Sequence, residues 1–167
     1  MTTTAALTAS QQTAWRTFLR AHSVVLRRLE GDLVGAHDLP MPSYDVLVQL
    51  SEAPGRALRM TELAERVLLS RSGLTRLVDR LVRDGLVERQ ACPEDARGTL
   101  AVLTTAGLER LRGAWPTHLR GVASYLDRLD PSEVETFTAL LTKMVPQASM
   151  TTTTCGADEA DVADVAC

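Results

Sequence analysis

Seven polar side chains share one side of a short stretch in mid-chain: Arg71, Ser72, Thr75, Arg76, Asp79, Arg80 and Arg83. Opposite them run Leu74, Leu77, Val78, Leu81 and Val82, spaced i, i+3, i+4, i+7 and i+8. That period predicts a helix over Arg71–Asp84 with one buried stripe and one polar face. The polar face offers guanidinium forks and hydroxyls. Such groups pair with guanine edges, with other base edges and with phosphates, and a helix fits the DNA major groove, where each base pair has its own donor and acceptor pattern. The N-terminal half of such a helix reaches deepest. Arg71, Ser72, Thr75 and Arg76 are therefore candidates for contacts with bases, and Ser70 just before them is a candidate DNA contact. Arg80 and Arg83 are candidates for phosphates, which position a protein without specifying sequence. The plain alternative is a solvated face whose arginines and acids pair at i,i+4.

The neighbouring elements decide between these readings. Before the helix, Thr61–Leu68 predicts a shorter helix capped by Thr61, with Leu63, Ala64, Val67 and Leu68 buried. Leu69-Ser70 joins the two tightly. After Gly85, Leu86–Gln90 and Thr99–Thr104 read as strands joined by an eight-residue loop, Ala91–Gly98, longer than a tight hairpin requires. Asp95 and Arg97 fall at its tip. An arginine there can enter a narrow minor groove, held by its negative potential, and a carboxylate two residues away can orient the fork. The simpler reading is a turn salt bridge worth ~0–1 kcal/mol. Two short helices followed at once by a hairpin describe a winged helix-turn-helix, predicted over residues 42–103.

The flanks are helical. Thr8-Ala-Ser-Gln11 has capping-box spacing, and Trp15, Phe18, Leu19, His22, Leu26, Leu29 and Leu33 then form one stripe. A long helix from about Ala9 to Val34, ended near Gly35, is expected, with Pro42 opening the next. Ser51–Gly55 reads as a turn. From Thr104 a helix runs to about Leu129, and Pro116 should kink or interrupt it. Asp130-Pro-Ser-Glu133 starts a last helix that ends at Pro146. Residues 1–8 and the acidic tail 147–167 are expected to be disordered. The fold class is mainly α with a small β-hairpin: the winged unit, plus a helical lobe from residues 9–41 and 104–146. The end helices carry Trp15, Phe18, Leu19, Phe137, Leu140 and Leu141 with no third layer to cover them, so a second copy of the chain is expected to.

Charge and composition narrow the function. The 167 residues carry a formal charge of −3, but residues 56–98 hold nine arginines against seven acids. An overall acidic balance thus conceals a basic middle. Six aromatic residues are too few for a single-strand stacking platform. No apolar run reaches the ~18–20 residues of a membrane span, and the first residues lack the basic start of a secretory leader. A cytoplasmic protein is expected. Cys92, Cys155 and Cys167 suggest neither a disulfide framework nor a zinc site, and no cofactor or metal is implied. No phosphate loop, His-Glu-x-x-His or Ser-His-Asp grouping supports an enzyme. Cys92, in the loop, reads as an incidental exposed thiol. His22 lies on an apolar stripe, as a hydrogen-bonded core or interface residue or, less simply, a pH switch. His37 and His118 read as surface residues.

Residues Pro42 to Gly107 resemble the multiple-antibiotic-resistance regulator (MarR) family. The resemblance is carried by "TELAERV", by "SGLTRLVDRLVRDGLVER" and by "DARG" followed by "LTTAG". It implies a homodimer in which the first and last two helices interlock. It also implies a transcription regulator, a repressor in the usual case, that binds a palindromic operator in double-stranded DNA and is modulated by a small-molecule effector. By position Ser72, Thr75 and Arg76 fall on the base-reading part of the recognition helix, and Arg97 on the wing-tip arginine. Trp15, His22, Tyr44 and Val48 lie where the family's effector pockets sit. Two departures stand out: Gly73 comes early in the recognition helix, and Pro116 lies in a helix the family keeps long. The competing functions are a winged-helix protein-interaction module that binds no operator, and a small-molecule-binding protein or enzyme working in the cleft between lobes.

Overall fold

The computed structural model describes residues 6–67, 69–92 and 95–145, and for residues 95–97 the backbone alone. The expected disorder at 1–8 and 147–167 falls mostly outside those residues. Helix α1 spans Ala9–His37 and α2 Met41–Ser51; a short 3-10 turn at Pro54–Arg56 leads to strand β1, Ala57–Arg59. Then come α3 (Met60–Arg66), α4 (Arg71–Arg83), β2 (Val87–Cys92), β3 (Asp95–Leu103), α5 (Thr105–Leu126) and α6 (Pro131–Met144). The sheet is antiparallel in the order β1-β3-β2.

Both capping boxes form. The Thr8 hydroxyl accepts from the Gln11 amide at 3.2 Å while Gln11 Oε1 accepts from the Thr8 amide at 2.9 Å. Asp130 and Glu133 exchange the same pair of bonds, each 2.9 Å. Four free N–H groups open every helix, and each box satisfies one of them and the cap's own amide. Helix α1 passes through Gly35 and ends at Asp38, whose φ of 48° is left-handed. Arg110 Nη1 donates to the His37 carbonyl at 2.9 Å, so α5 holds this helix end and Gly35 does not terminate it.

The core joins all the central elements: Leu29 and Leu33 of α1, Leu47 and Leu50 of α2, Leu63 of α3, Leu74, Val78 and Leu81 of α4, Ala101 of β3, and Leu108 and Leu111 of α5. Several expectations fail here. Pro116 does not interrupt α5, which runs unbroken for 22 residues. A mid-helix proline costs ~3 kcal/mol, and the packing of Leu108, Leu111, Ala114, Trp115 and Val122 on the core offsets it. Helix α3 starts one residue early, with Arg59 as N-cap and no side-chain cap bond, so Thr61 is not the cap. Val82, expected to be buried, is 37% exposed. The loop of the hairpin is shorter than expected, because pairing extends outward to Cys92 opposite Asp95 beyond a register shift at Ala91/Cys92. That extra pairing encloses Cys92, which is buried rather than exposed.

Candidate nucleic-acid interface

Helix α4 is held from beneath by its leucine stripe and from its N-terminus by Ser70, whose Oγ accepts from the Gly73 amide at 3.2 Å. Ser70 therefore has a structural duty whatever else it touches. Leu74, Leu77, Val78 and Leu81 are buried. Arg71, Ser72, Thr75, Arg76, Asp79, Arg80 and Arg83 are all exposed. The i,i+4 spacing divides this face into two rows. One holds Arg71, Thr75, Asp79 and Arg83; the other holds Ser72, Arg76 and Arg80.

The first row is internally bonded. Thr75 Oγ1 donates to the Arg71 carbonyl at 2.9 Å, and Arg83 Nε donates to the Asp79 carbonyl at 3.4 Å. Arg89 reaches the same row from β2. Its Nη2 lies 2.9 Å from Asp79 Oδ1 and donates to the Thr75 carbonyl at 3.5 Å. Sequence reasoning missed Arg89, for good reason. Asp79 and Arg89 are separated by a helix end, a left-handed Gly85 (φ 73°) and the start of a strand, and no local period links them. Arg76 and Arg80, in the second row, stand open to solvent. The remaining wing candidates, Asp95 and Arg97, lie by their backbone at the outer end of β3; their side chains are outside the described residues.

Behind α4 the chain turns into α5 through Thr104. Its hydroxyl donates to the Gly85 carbonyl at 2.8 Å and accepts from the Gly107 amide at 3.0 Å. Its own amide donates to the Leu86 carbonyl at 3.2 Å. One residue thus ties the end of the recognition helix, the outer strand and the first turn of α5.

The four residues expected around an effector fall into two groups. Tyr44 is 2% exposed, with Val48 half-buried against the core. Trp15 is 49% exposed and stacks on Phe18, which in turn stacks on His22, along the outer half of α1. His22 is exposed, which removes it from the core of the single chain. His118 is not a surface residue: it is half-buried against Tyr44, ring centroids 4.6 Å apart. Burial lowers its pKa from the ordinary histidine value. His37 is also half-buried and shares a 2.9 Å hydrogen bond with Thr117 Oγ1. Burial first, then the charges of Asp45 and Glu52, push the Tyr44 phenol well above its usual range.

No described helix is long and apolar enough to cross a membrane. Comparison with known proteins gives concordant results. A family model described as MarR family matches residues 37–98. The crystal structure of Sco3205, a MarR family transcriptional regulator from Streptomyces coelicolor, in complex with DNA, aligns with a TM-score of 0.80 at 37% identity, covering 84% of this chain and 89% of that one. The PcaV transcriptional regulator from Streptomyces coelicolor, in complex with its natural ligand, aligns with a TM-score of 0.66 at 28% identity, covering 85% of this chain and 97% of that one. The HTH-type transcriptional repressor YetL of Bacillus subtilis is 31% identical over 107 residues, which span 64% of this chain and 64% of YetL.

Proposed function

The chain belongs to the MarR family of transcriptional regulators, and from that premise we propose that it is a cytoplasmic homodimeric repressor that binds a palindromic operator and is modulated by a small molecule. The carrying observation is the face of α4, open along its whole length and flanked by the wing. Ser72, Thr75 and Arg76 read bases, joined by Arg71 near the N-terminus; Ser70 orders that end. Arg80 and Arg83 hold phosphates, and Arg97, oriented by Asp95, enters the minor groove beside the wing. Its relatives are named as regulators, not enzymes, and the repressor reading leans on YetL.

The dimer is supported by what the single chain leaves bare. Every residue of α1 from 9 to 24 is exposed, and α6 buries none of its residues. Trp15, Leu19, Phe137, Leu140 and Met144 are all large, apolar and exposed, more than a lone soluble domain usually shows in one region. A two-fold partner laid on these helices covers them and sets two recognition helices ~34–36 Å apart, one turn of DNA. Modulation by a small molecule is supported by PcaV, solved with its ligand. Tyr44 and Val48 at the α2–α5 crossing are proposed to line one part of that site, and Trp15 and His22 on α1 another.

Selection of bound duplexes from a random library, followed by titration of the winner against salt, tests the proposal. Contact with about six phosphates per dimer gives a log–log slope of affinity against salt of roughly −5. A flat salt response, or no enriched palindrome, overturns it.

A further inference from the structure

Arg89 contributes one cation at the edge of the recognition helix, and its position gives it more to do than add charge. We propose that Arg89 is a positioning residue of the DNA interface, which locks the wing to α4 through Asp79 and Thr75 and masks a carboxylate on the recognition face. The inference rests on the DNA-binding reading above.

Asp79 sits in the row Arg71, Thr75, Asp79, Arg83, and its side chain is more than half exposed. A bare carboxylate there repels any phosphate the neighbouring arginines attract. Arg89 lies 2.9 Å from it, with its own side chain only a third exposed. The same Nη2 reaches the Thr75 carbonyl, one helical turn toward the base-reading end. One nitrogen thus bridges two residues a turn apart on α4 and ties both to β2. A guanidinium suits this duty because its planar fork presents several donors at fixed angles, whereas a lysine offers a mobile point charge. Neighbouring groups leave the pair undisturbed. Glu88 is engaged by Gln90 at 2.6 Å, and Arg83 meets Asp79 through the backbone carbonyl.

The test is a double-mutant cycle on the full chain, read as affinity for the duplex selected by wild type and for a scrambled duplex of the same length. Arg89→Ala is expected to weaken specific binding by about ten-fold or more, because loss of one partner leaves the other charge uncompensated. In an Asp79→Asn background the same Arg89→Ala change is expected to cost at least about three-fold less, the signature of coupled residues. Arg89→Lys keeps the charge, so its salt slope should match wild type while its preference for the selected over the scrambled duplex falls. Equal losses in both Asp79 backgrounds, or an Arg89→Lys variant with undiminished preference, overturn the positioning role and leave a simple phosphate contact. Thermal melts of each variant identify loss of folding, and Arg89→Gln, which keeps a donor and most of the aliphatic stem, replaces any variant that melts early. Failure of wild type to prefer any duplex would instead overturn the underlying function.

Discussion

The imidazole of His118 on α5 lies against the phenol ring of Tyr44 on α2, centroids 4.6 Å apart. Tyr44 Oη and His118 Nδ1 are both buried with no hydrogen-bond partner among the described residues. This contact joins α2, at the start of the winged unit, to the long helix behind it.

The pair makes stability depend on pH in a definite direction. Burial lowers the His118 pKa in the folded chain, while the unfolded chain keeps a value of about 6.5. Between the two values the unfolded state binds more protons, so stability rises with pH through that window and falls as pH drops below about 6.5. Thermal melts from pH 7.5 down to 5.5 should show a progressive loss. His118→Phe, which keeps the ring and removes the titration, should flatten that part of the curve. An equally steep fall in His118→Phe would assign the effect to other groups.

Gly107 has no room for a side chain. A β-carbon there collides with the Leu86 carbonyl oxygen and crowds Leu103 Cδ1. That carbonyl already accepts the Thr104 amide and cannot withdraw without breaking the start of α5. Gly107→Ala should therefore destabilise by ~1–3 kcal/mol, as overpacking does. Gly113 lies in the same helix with nothing within 4 Å of its would-be β-carbon, so Gly113→Ala should stabilise by up to ~1 kcal/mol. Urea midpoints at constant slope measure both. Similar shifts for the two variants would show that helix propensity alone governs them.

These contacts also mark how far the sequence could be read. Local rules acted where the partners are local. The Thr8 and Asp130 capping boxes and the stripe under α4 follow from spacings of three and four, and both appear, the stripe without Val82. The open recognition face followed from the same period. Tertiary partners were hidden. Strand β1 is three residues long and exists because Ala57–Arg59 pairs with Leu100–Val102, too short a run to show a period. Cys92 lies outside both strand runs in the sequence, and only the pairing beyond the shift at Ala91/Cys92 brings it under cover. Of the kink or interruption expected at Pro116, the interruption does not occur, because core packing keeps α5 unbroken. His118 looked like a surface residue because nothing nearby in sequence reveals Tyr44, and Arg89 was passed over for want of any local link to Asp79.

Ser70 separates capping from contact. Its Oγ holds the Gly73 amide, and loss of an N-cap costs ~1 kcal/mol. Ser70→Ala should lower stability by about that much. Ser70→Asp should restore stability, since aspartate caps equally well, yet it places a negative charge beside DNA. Unfolding and operator binding should thus part company in Ser70→Asp, stable but weak in binding. Recovery of both together would reduce Ser70 to a cap.

Arg76 and Arg97 should fail in different ways. Arg76 stands in the open row of α4; on the proposed role of base reader, Arg76→Ala should cost ~1–3 kcal/mol on the selected operator and relax preference at one position of each half-site. Arg97, proposed to enter the minor groove, should weaken binding across all sequences when changed to Ala. Repeating the duplex selection with each variant distinguishes them. An unchanged sequence profile for Arg76→Ala would move it to the phosphate contacts.

Leu140 is 57% exposed on α6, a helix that buries none of its residues in the single chain. A lone amphipathic helix of 14 residues is marginal in water, so its order requires something to pack on. Phe137, Met144, Trp15 and Leu19 are bare as well, and a second copy offers the same surfaces in return. If the chain were a monomer, Leu140→Glu would be an exposed surface change worth at most ~0.5 kcal/mol. In a dimer it buries a charge at the heart of the contact, where an unpaired ion costs several kcal/mol. Sedimentation equilibrium at micromolar concentration should therefore give twice the 18.1 kDa chain mass for wild type and the single-chain mass for Leu140→Glu. Helical circular dichroism should fall in the variant as α6 frays. Operator affinity should fall with it, because one half-site is lost. A wild type that sediments as a monomer while binding a palindrome would refute the two-fold arrangement but not the recognition face.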